Sequence, residues 1–168
     1  VTQNDQAILV LTTGGTIDKQ YFDALSQYAI ADTVIARMLE IARVATPFTI
    51  AEVMRKDSLD ISADDRVALA ERVRRAPQRR IVITHGTDTM AQTAQALGDI
   101  PDKVIALTGA LTPARFAESD AAFNLGMAFA CVQSAAPGVY IAMNGTIFDG
   151  LAVTKDRDRG QFVRTDAP

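Results

Sequence analysis

Five apolar runs constrain this chain more than any other feature: Ala7–Leu11, Phe48–Val53, Arg80–Thr84, Val104–Thr108 and Val139–Met143. They are rich in β-branched residues and mostly lack apolar–polar alternation. Strands of that kind are buried on both faces, which calls for a parallel sheet covered by helices on each side. The segments between them supply the helices. Thr33–Arg43 places Val34, Met38 and Ile41 at helical spacing, with Asp32 as N-cap. Ser62–Arg75 opens with Ser62 and Asp65 in a capping-box arrangement and repeats apolar groups at Val67, Leu69, Ala70 and Val73. Thr87–Leu97 and Ser119–Gln133 follow. Phe116, Phe123, Met127 and Phe129 recur at roughly helical spacing and read as core, as does the small apolar Cys131.

Strand and helix alternate with short loops, which predicts right-handed βαβ crossovers. The expected fold is therefore α/β: a doubly wound, mostly parallel sheet, Rossmann-like or flavodoxin-like, in three layers and one domain over residues 1–168. The segment after Asn144 is more polar. Residues 151–168, with Lys155 to Arg159 charged in a row, read as a C-terminal tail or short hairpin.

Composition narrows the chemistry. A length of 168 residues suits one domain. Seventeen Lys+Arg against twenty Asp+Glu leave a net charge of −3, the wrong sign for a nucleic-acid binder. The basic cluster Arg72, Arg74, Arg75, Arg79 and Arg80 reads as a helix C-terminus, where cations meet the macrodipole favourably. One cysteine, Cys131, cannot form an internal disulfide, and one histidine, His85, cannot build a His-rich metal site. No apolar run approaches the ~20 residues of a membrane span, and Val1–Gln6 does not resemble a signal peptide. The expectation is a soluble, cytoplasmic protein with no cofactor, metal, nucleic acid or membrane partner. Any catalysis must use hydroxyls, carboxylates and a few lysines.

Four strands run directly into glycine-containing turns: Thr13-Gly14-Gly15-Thr16, His85-Gly86-Thr87-Asp88, Thr108-Gly109-Ala110 and Asn144-Gly145-Thr146. Ligands of open α/β sheets bind outside the carboxyl ends of the strands, where glycine lets backbone turn sharply and approach closely. The first turn is neither G-x-G-x-x-G nor a P-loop, and Asp18 after it would repel a phosphate.

Val10-Leu11-Thr12-Thr13-Gly14-Gly15-Thr16-Ile17 and Ile83-Thr84-His85-Gly86-Thr87-Asp88-Thr89-Met90 together resemble the two signatures of the bacterial-type L-asparaginase/glutaminase family. Asp57-Ser58, Thr108-Gly109-Ala110 and Asp149-Gly150 before Val153-Thr154-Lys155 add weaker matches, so the resemblance spans about Ile8 to Lys155. It implies hydrolysis of the side-chain amide of asparagine to aspartate and ammonia through a covalent acyl-enzyme, with weak glutaminase activity. By the same resemblance Thr16 is the nucleophile, Tyr21 its phenolic partner, and Thr87, Asp88 and Lys155 the second catalytic constellation. Ser58 would bind the substrate α-carboxylate, and Gly15 and Ala110 would line the amide pocket. Asp88 would take the α-ammonium. In the matching motif His85 is a structural turn residue.

The sequence also departs from the pattern. Leu59 stands where many members carry a polar residue that holds the substrate amino group, so weaker binding is expected, with Asp60 compensating. The resemblance further implies a C-terminal domain, and this chain reads as a short form without one. A neighbouring subunit's carboxylate, contributed in the family by that domain, would have to be replaced by Asp156, Asp158 or Asp166, by another subunit's loop or by water. The apolar surface so left uncovered predicts a homo-oligomer. A catalytically weak amino-acid-binding domain is the competing expectation.

Overall fold

Strand β1 (Ile8–Gly14) opens the described structure, a computed structural model that covers residues 6–22 and 27–165. A short ribbon of β2 (Lys19–Phe22) and β3 (Gln27–Ile30) follows, then helix α1 (Ile35–Ile41) and β4 (Phe48–Lys56). The alternation continues through α2 (Ala63–Arg75), β5 (Arg80–Thr84), α3 (Met90–Ala96), β6 (Val104–Thr108), α4 (Ala121–Ser134) and β7 (Gly138–Met143). Strands β8 (Thr146–Asp149), β9 (Val153–Asp156) and β10 (Gln161–Arg164) complete it.

The central sheet has the order β4-β1-β5-β6-β7-β8. The five apolar runs are its five parallel strands, and β8 pairs antiparallel with β7 at one edge. Numbered among themselves, the parallel strands run 2-1-3-4-5, the flavodoxin-like winding. Strands β1 and β6 are buried at every position, which explains why their sequences do not alternate. One face packs under α2 and α3 through Leu9, Leu11, Leu69, Val73, Ile83 and Met90. The other packs under α1 and α4 through Val10, Ile35, Leu39, Val82, Leu125 and Phe129.

The capping box of α2 is present: Ser62 Oγ accepts from the Asp65 N–H at 3.1 Å, and Asp65 accepts from the Ser62 N–H at 2.8 Å. Three local expectations are corrected. Asp32 does not cap α1; it pairs with Arg55 at 2.8 Å, and the Val34 N–H donates instead to Asp18, which reaches over from the turn after β1. Phe116 and Phe123 are 44% and 63% exposed. Phe116 precedes the helix, and the buried face of α4 is formed by Ala121, Leu125, Ala128, Phe129 and Val132, which leaves Phe123 on the opposite side. The helix expected from Thr87 begins at Met90, because Thr87–Thr89 shapes the turn.

The arginine cluster is accounted for locally. Arg74 bonds Glu71 and Asp99, Arg79 bonds the Asp102 carbonyl, and Arg80 bonds the Gln6 carbonyl. Cys131 is buried, and burial pushes its thiol up to about 11. Among the described residues no helix is long and apolar enough to cross a membrane.

The C-terminal segment forms the β9–β10 hairpin, and it decides the geometry of the site. Val153 and Phe162 are buried in the core cluster under α2 and α3. The Phe162 N–H also donates to Asn144 Oδ1 at 2.9 Å. Side chains of a strand alternate, so Lys155 shares the inward face of Val153.

Candidate active site

The switch point of a 2-1-3-4-5 sheet lies between its first and third strands, here β1 and β5. The turns that follow those strands carry both signatures. Thr16 opens a single 3₁₀ turn, Thr16–Asp18, right after Gly15. Gly15 has φ of +84°, and its N–H donates to the Lys56 carbonyl at 3.1 Å. A Cβ there would lie 2.5 Å from the Gly86 nitrogen. A Cβ on Gly86 would in turn lie 2.6 Å from Ser58 Cβ. The turns after β1, β5 and β4 are thus in backbone contact, and only glycine permits it. Gly109, after β6, sits equally close to the His85 carbonyl, and Ala110 beside it is buried.

Lys155 crosses from the hairpin to the turn after β5. Its Nζ donates to Thr87 Oγ1 and to Asp88 Oδ1, each at 2.7 Å. The lysine side chain is only 15% exposed, against 35% for Asp88. The charged run of the C-terminal hairpin therefore places its lysine against the turn after β5. Because the ammonium donates to the Thr87 oxygen, the Thr87 hydroxyl proton must point elsewhere. A hydroxyl polarised by a cation in this way is a stronger donor toward an incoming oxygen.

His85 holds the turn from below. It is fully buried, with Nδ1 2.7 Å from the Gly86 carbonyl and Nε2 2.8 Å from Thr93 Oγ1. A carbonyl can only accept, so Nδ1 carries the proton and Nε2 accepts from Thr93. Thr93 in turn accepts from Arg66 Nε at 3.1 Å. Burial pushes the imidazole down to about 4, so it is neutral near pH 7. This is the structural role that the motif implies.

The other expected residues differ in exposure. Ser58 is buried, and Asp60, two residues on, is exposed. Leu59 between them is 65% exposed. Tyr21 lies on β2, 45% exposed, and among the described residues no hydrogen bond links it to Thr16. Its register partner is Tyr28 on β3, with ring centroids 5.2 Å apart. Tyr28 also meets Phe116 at 6.0 Å. Tyr28 escaped the sequence reading, because a four-residue strand carries little periodic signal.

Asp156 Oδ1 accepts from the N–H groups of Asp158 and Arg159, so it shapes the β9–β10 turn. Asp158 is an exposed residue of that turn. Asp166 lies outside the described residues.

Comparison with known proteins identifies relatives of the chain. The family model described as "Asparaginase, N-terminal" matches residues 7–160. An L-asparaginase of Thermococcus kodakarensis is 34% identical over 163 residues, covering 91% of this chain and 48% of that protein. L-asparaginase 2 of Escherichia coli is 33% identical over 162 residues, covering 88% and 46%. The solved thermostable L-asparaginase from Thermococcus kodakarensis superposes with a TM-score of 0.83 at 30% identity, covering 96% of this chain and 52% of that one. The chain spans about half the length of the curated relatives it matches.

Proposed function

This chain belongs to the asparaginase family, by its N-terminal family model, and from that premise we propose that it is an amidohydrolase converting L-asparagine to L-aspartate and ammonia. The observation that carries the proposal is the Thr87–Asp88–Lys155 constellation beside the Gly15-Thr16 turn, at the switch point of the sheet. In the proposed reaction Thr16 Oγ attacks the side-chain amide carbon. The C–O bond forms, the C–N bond breaks, and the hydroxyl proton leaves with ammonia. Water then attacks the acyl ester, aspartate departs, and a proton returns to Thr16.

Tyr21 acts as the phenolic partner of Thr16, and Lys155 relays protons through Thr87 and Asp88. Ser58 binds the α-carboxylate, while Asp88 and Asp60 bind the α-ammonium. Gly15 and Ala110 line the amide pocket, and Thr87 orients the attacking water. Glutamine, one methylene longer, is a weak second substrate; such a difference is worth about 1–3 kcal/mol. The protein acts in the cytoplasm, a reducing compartment that its lone cysteine suits. It works as a homo-oligomer, which the exposed Leu111, Phe116 and Phe123 favour.

The deciding experiment is ammonia release from asparagine by the parent and by Thr16→Ala. Turnover by the parent and its loss in the variant support the proposal. Undiminished turnover in Thr16→Ala would remove the nucleophile. A second reading, an amino-acid-binding domain with weak catalysis, is favoured by Leu59, an exposed apolar side chain beside the buried Ser58. Saturable asparagine binding by calorimetry without ammonia release selects it.

A further inference from the structure

We propose that Lys19 and Asp57 form a latch joining the turn that carries Thr16 to the turn that carries Ser58, and that both are positioning residues for substrate binding. The inference rests on the site reading above, which gives those two turns their roles. Lys19 Nζ lies 2.8 Å from Asp57 Oδ2. Lys19 directly follows the Thr16–Asp18 turn and begins β2. Asp57 is the N-cap of the Ser58–Asp60 turn, accepting from the Leu59 N–H at 3.3 Å. One carboxylate therefore shapes the Ser58 turn with one oxygen and holds the nucleophile's segment with the other.

Regular strand pairing gives way at this junction, where the Gly15 N–H to Lys56 carbonyl bond ties the backbones and the ion pair adds a side-chain tie. The β1–β4 ladder is regular from Ile8↔Phe48 to Thr12↔Glu52, and then slips so that Gly14 faces Lys56. Two residues of β1 there oppose four of β4, an irregularity that re-aims the two strand exits before the pairing resumes at Gly14 and Lys56. The ion pair joins them just beyond the irregular stretch. Its side chains are 27% and 33% exposed, a partly desolvated setting in which the attraction is stronger than between free surface groups. The Asp57 carboxyl is held below its ordinary range, first by the hydrogen bond from Lys19. Other nearby cations are engaged elsewhere, Lys56 with Asp65 and Arg55 with Asp32 and Glu52.

The latch also fixes the base of the β2–β3 ribbon, whose outer residues carry Tyr21 and Tyr28. The other end of that row rests on Phe116. Loss of the latch should slacken the tie between the outer parts of the Thr16 and Ser58 turns, so that a ligand spanning both must order them on binding.

The test uses Asp57→Asn, Lys19→Met and the double variant in the full chain. Asparagine keeps an acceptor for the Leu59 N–H, so the turn survives while the ion pair goes. Methionine keeps the apolar stem of Lys19. The expected result is a KM for asparagine raised about three- to tenfold in each single variant with a smaller change in kcat, as for a partly exposed charge pair. The double variant should lose no more than either single one. Hydrogen exchange should quicken at the amides of residues 19–22 and 27–30 in all three, with β5 and β6 unchanged.

Unchanged exchange in the ribbon, or an unchanged KM in an active parent and its variants, overturns the latch. Additive losses in the double variant overturn the pairing. Should the parent release no ammonia, the site reading fails on its own. Faster ribbon exchange in the variants would then still uphold the mechanical tie, and its absence would sink it.

Discussion

Lys155 Nζ stands 2.7 Å from Thr87 Oγ1, although 68 residues separate the two in sequence. The contact joins a hairpin to a sheet turn, and the hairpin is held by apolar anchors rather than by the lysine. Lys155→Met should therefore lower the rate of ammonia release from asparagine on the order of 10²–10⁴-fold, as loss of a proton-transfer group does. Its melting temperature should stay within a few degrees of the parent, because Val153 and Phe162 remain buried. Retained turnover in a folded variant would remove Lys155 from the mechanism.

Two phenols face each other on the β2–β3 ribbon, and a pair of conservative variants separates them. Tyr21→Phe should cut kcat on the order of 10²-fold if that phenol partners Thr16. Tyr28→Phe should leave kcat near the parent value, since its ring still packs between Tyr21 and Phe116. Steady-state kinetics decide the matter, and the opposite pattern assigns the role to Tyr28.

The contact between turns makes Gly86 intolerant of a side chain. A methyl group there would meet Ser58 Cβ at 2.6 Å and Ser58 Oγ at 2.7 Å. Gly86→Ala should cost about 1–3 kcal/mol in denaturant unfolding, the usual range for overpacking. It should also weaken asparagine binding, because Ser58 must move. A variant as stable as the parent would contradict this packing.

His85 should make stability depend on acid. Its folded form is neutral down to about 4, against an ordinary value of 6.5. Between those limits the unfolded chain takes up a proton that the folded chain refuses. The stability is therefore present above pH 6.5 and is lost as pH falls toward 4, by an amount on the order of 3 kcal/mol. Urea titrations across that window should show the slope, and His85→Gln should flatten it. An equally steep slope in the variant would point to other groups.

Asp18 has the opposite sign. Burial raises its carboxyl above the ordinary 3.8, against hydrogen bonds from Val34 and Thr33. Its contribution is present at low pH and is lost as pH rises through the raised value. Asp18→Asn keeps an acceptor for the Val34 N–H and removes the buried charge. The variant should melt higher than the parent at pH 7, with the gap closing toward acid. A lower melting temperature at neutral pH would show that the charge at the start of α1 outweighs its desolvation.

Much of this protein was legible in its residues alone. Unalternating β-branched runs named the parallel strands, since a strand buried on both faces has no polar positions to spare, although β4, at the sheet edge, has no buried position. Ser62 and Asp65 marked the start of α2, because capping is local chemistry between residues three apart. The two glycine–threonine turns marked the candidate site, because turns at the carboxyl edge of such a sheet are where ligands lie.

Other features depended on contacts distant in sequence. The inward face of Lys155 follows from burial of Val153 and Phe162, which composition hides inside a charged run. The exposure of Phe116 and Phe123 follows from which face of α4 meets the sheet. The Asp18 cap on α1, the Lys19–Asp57 pair and the facing of Tyr21 by Tyr28 each join segments whose pairing no local pattern announces. Sequence by itself determined the α/β class, the five parallel strands and the glycine turns of the candidate site, because those arise from periodicity and local backbone preference, whereas the strand order that makes the winding flavodoxin-like came from the structure. Tertiary structure alone decided which charged and aromatic side chains meet, because that depends on packing between elements far apart in the chain.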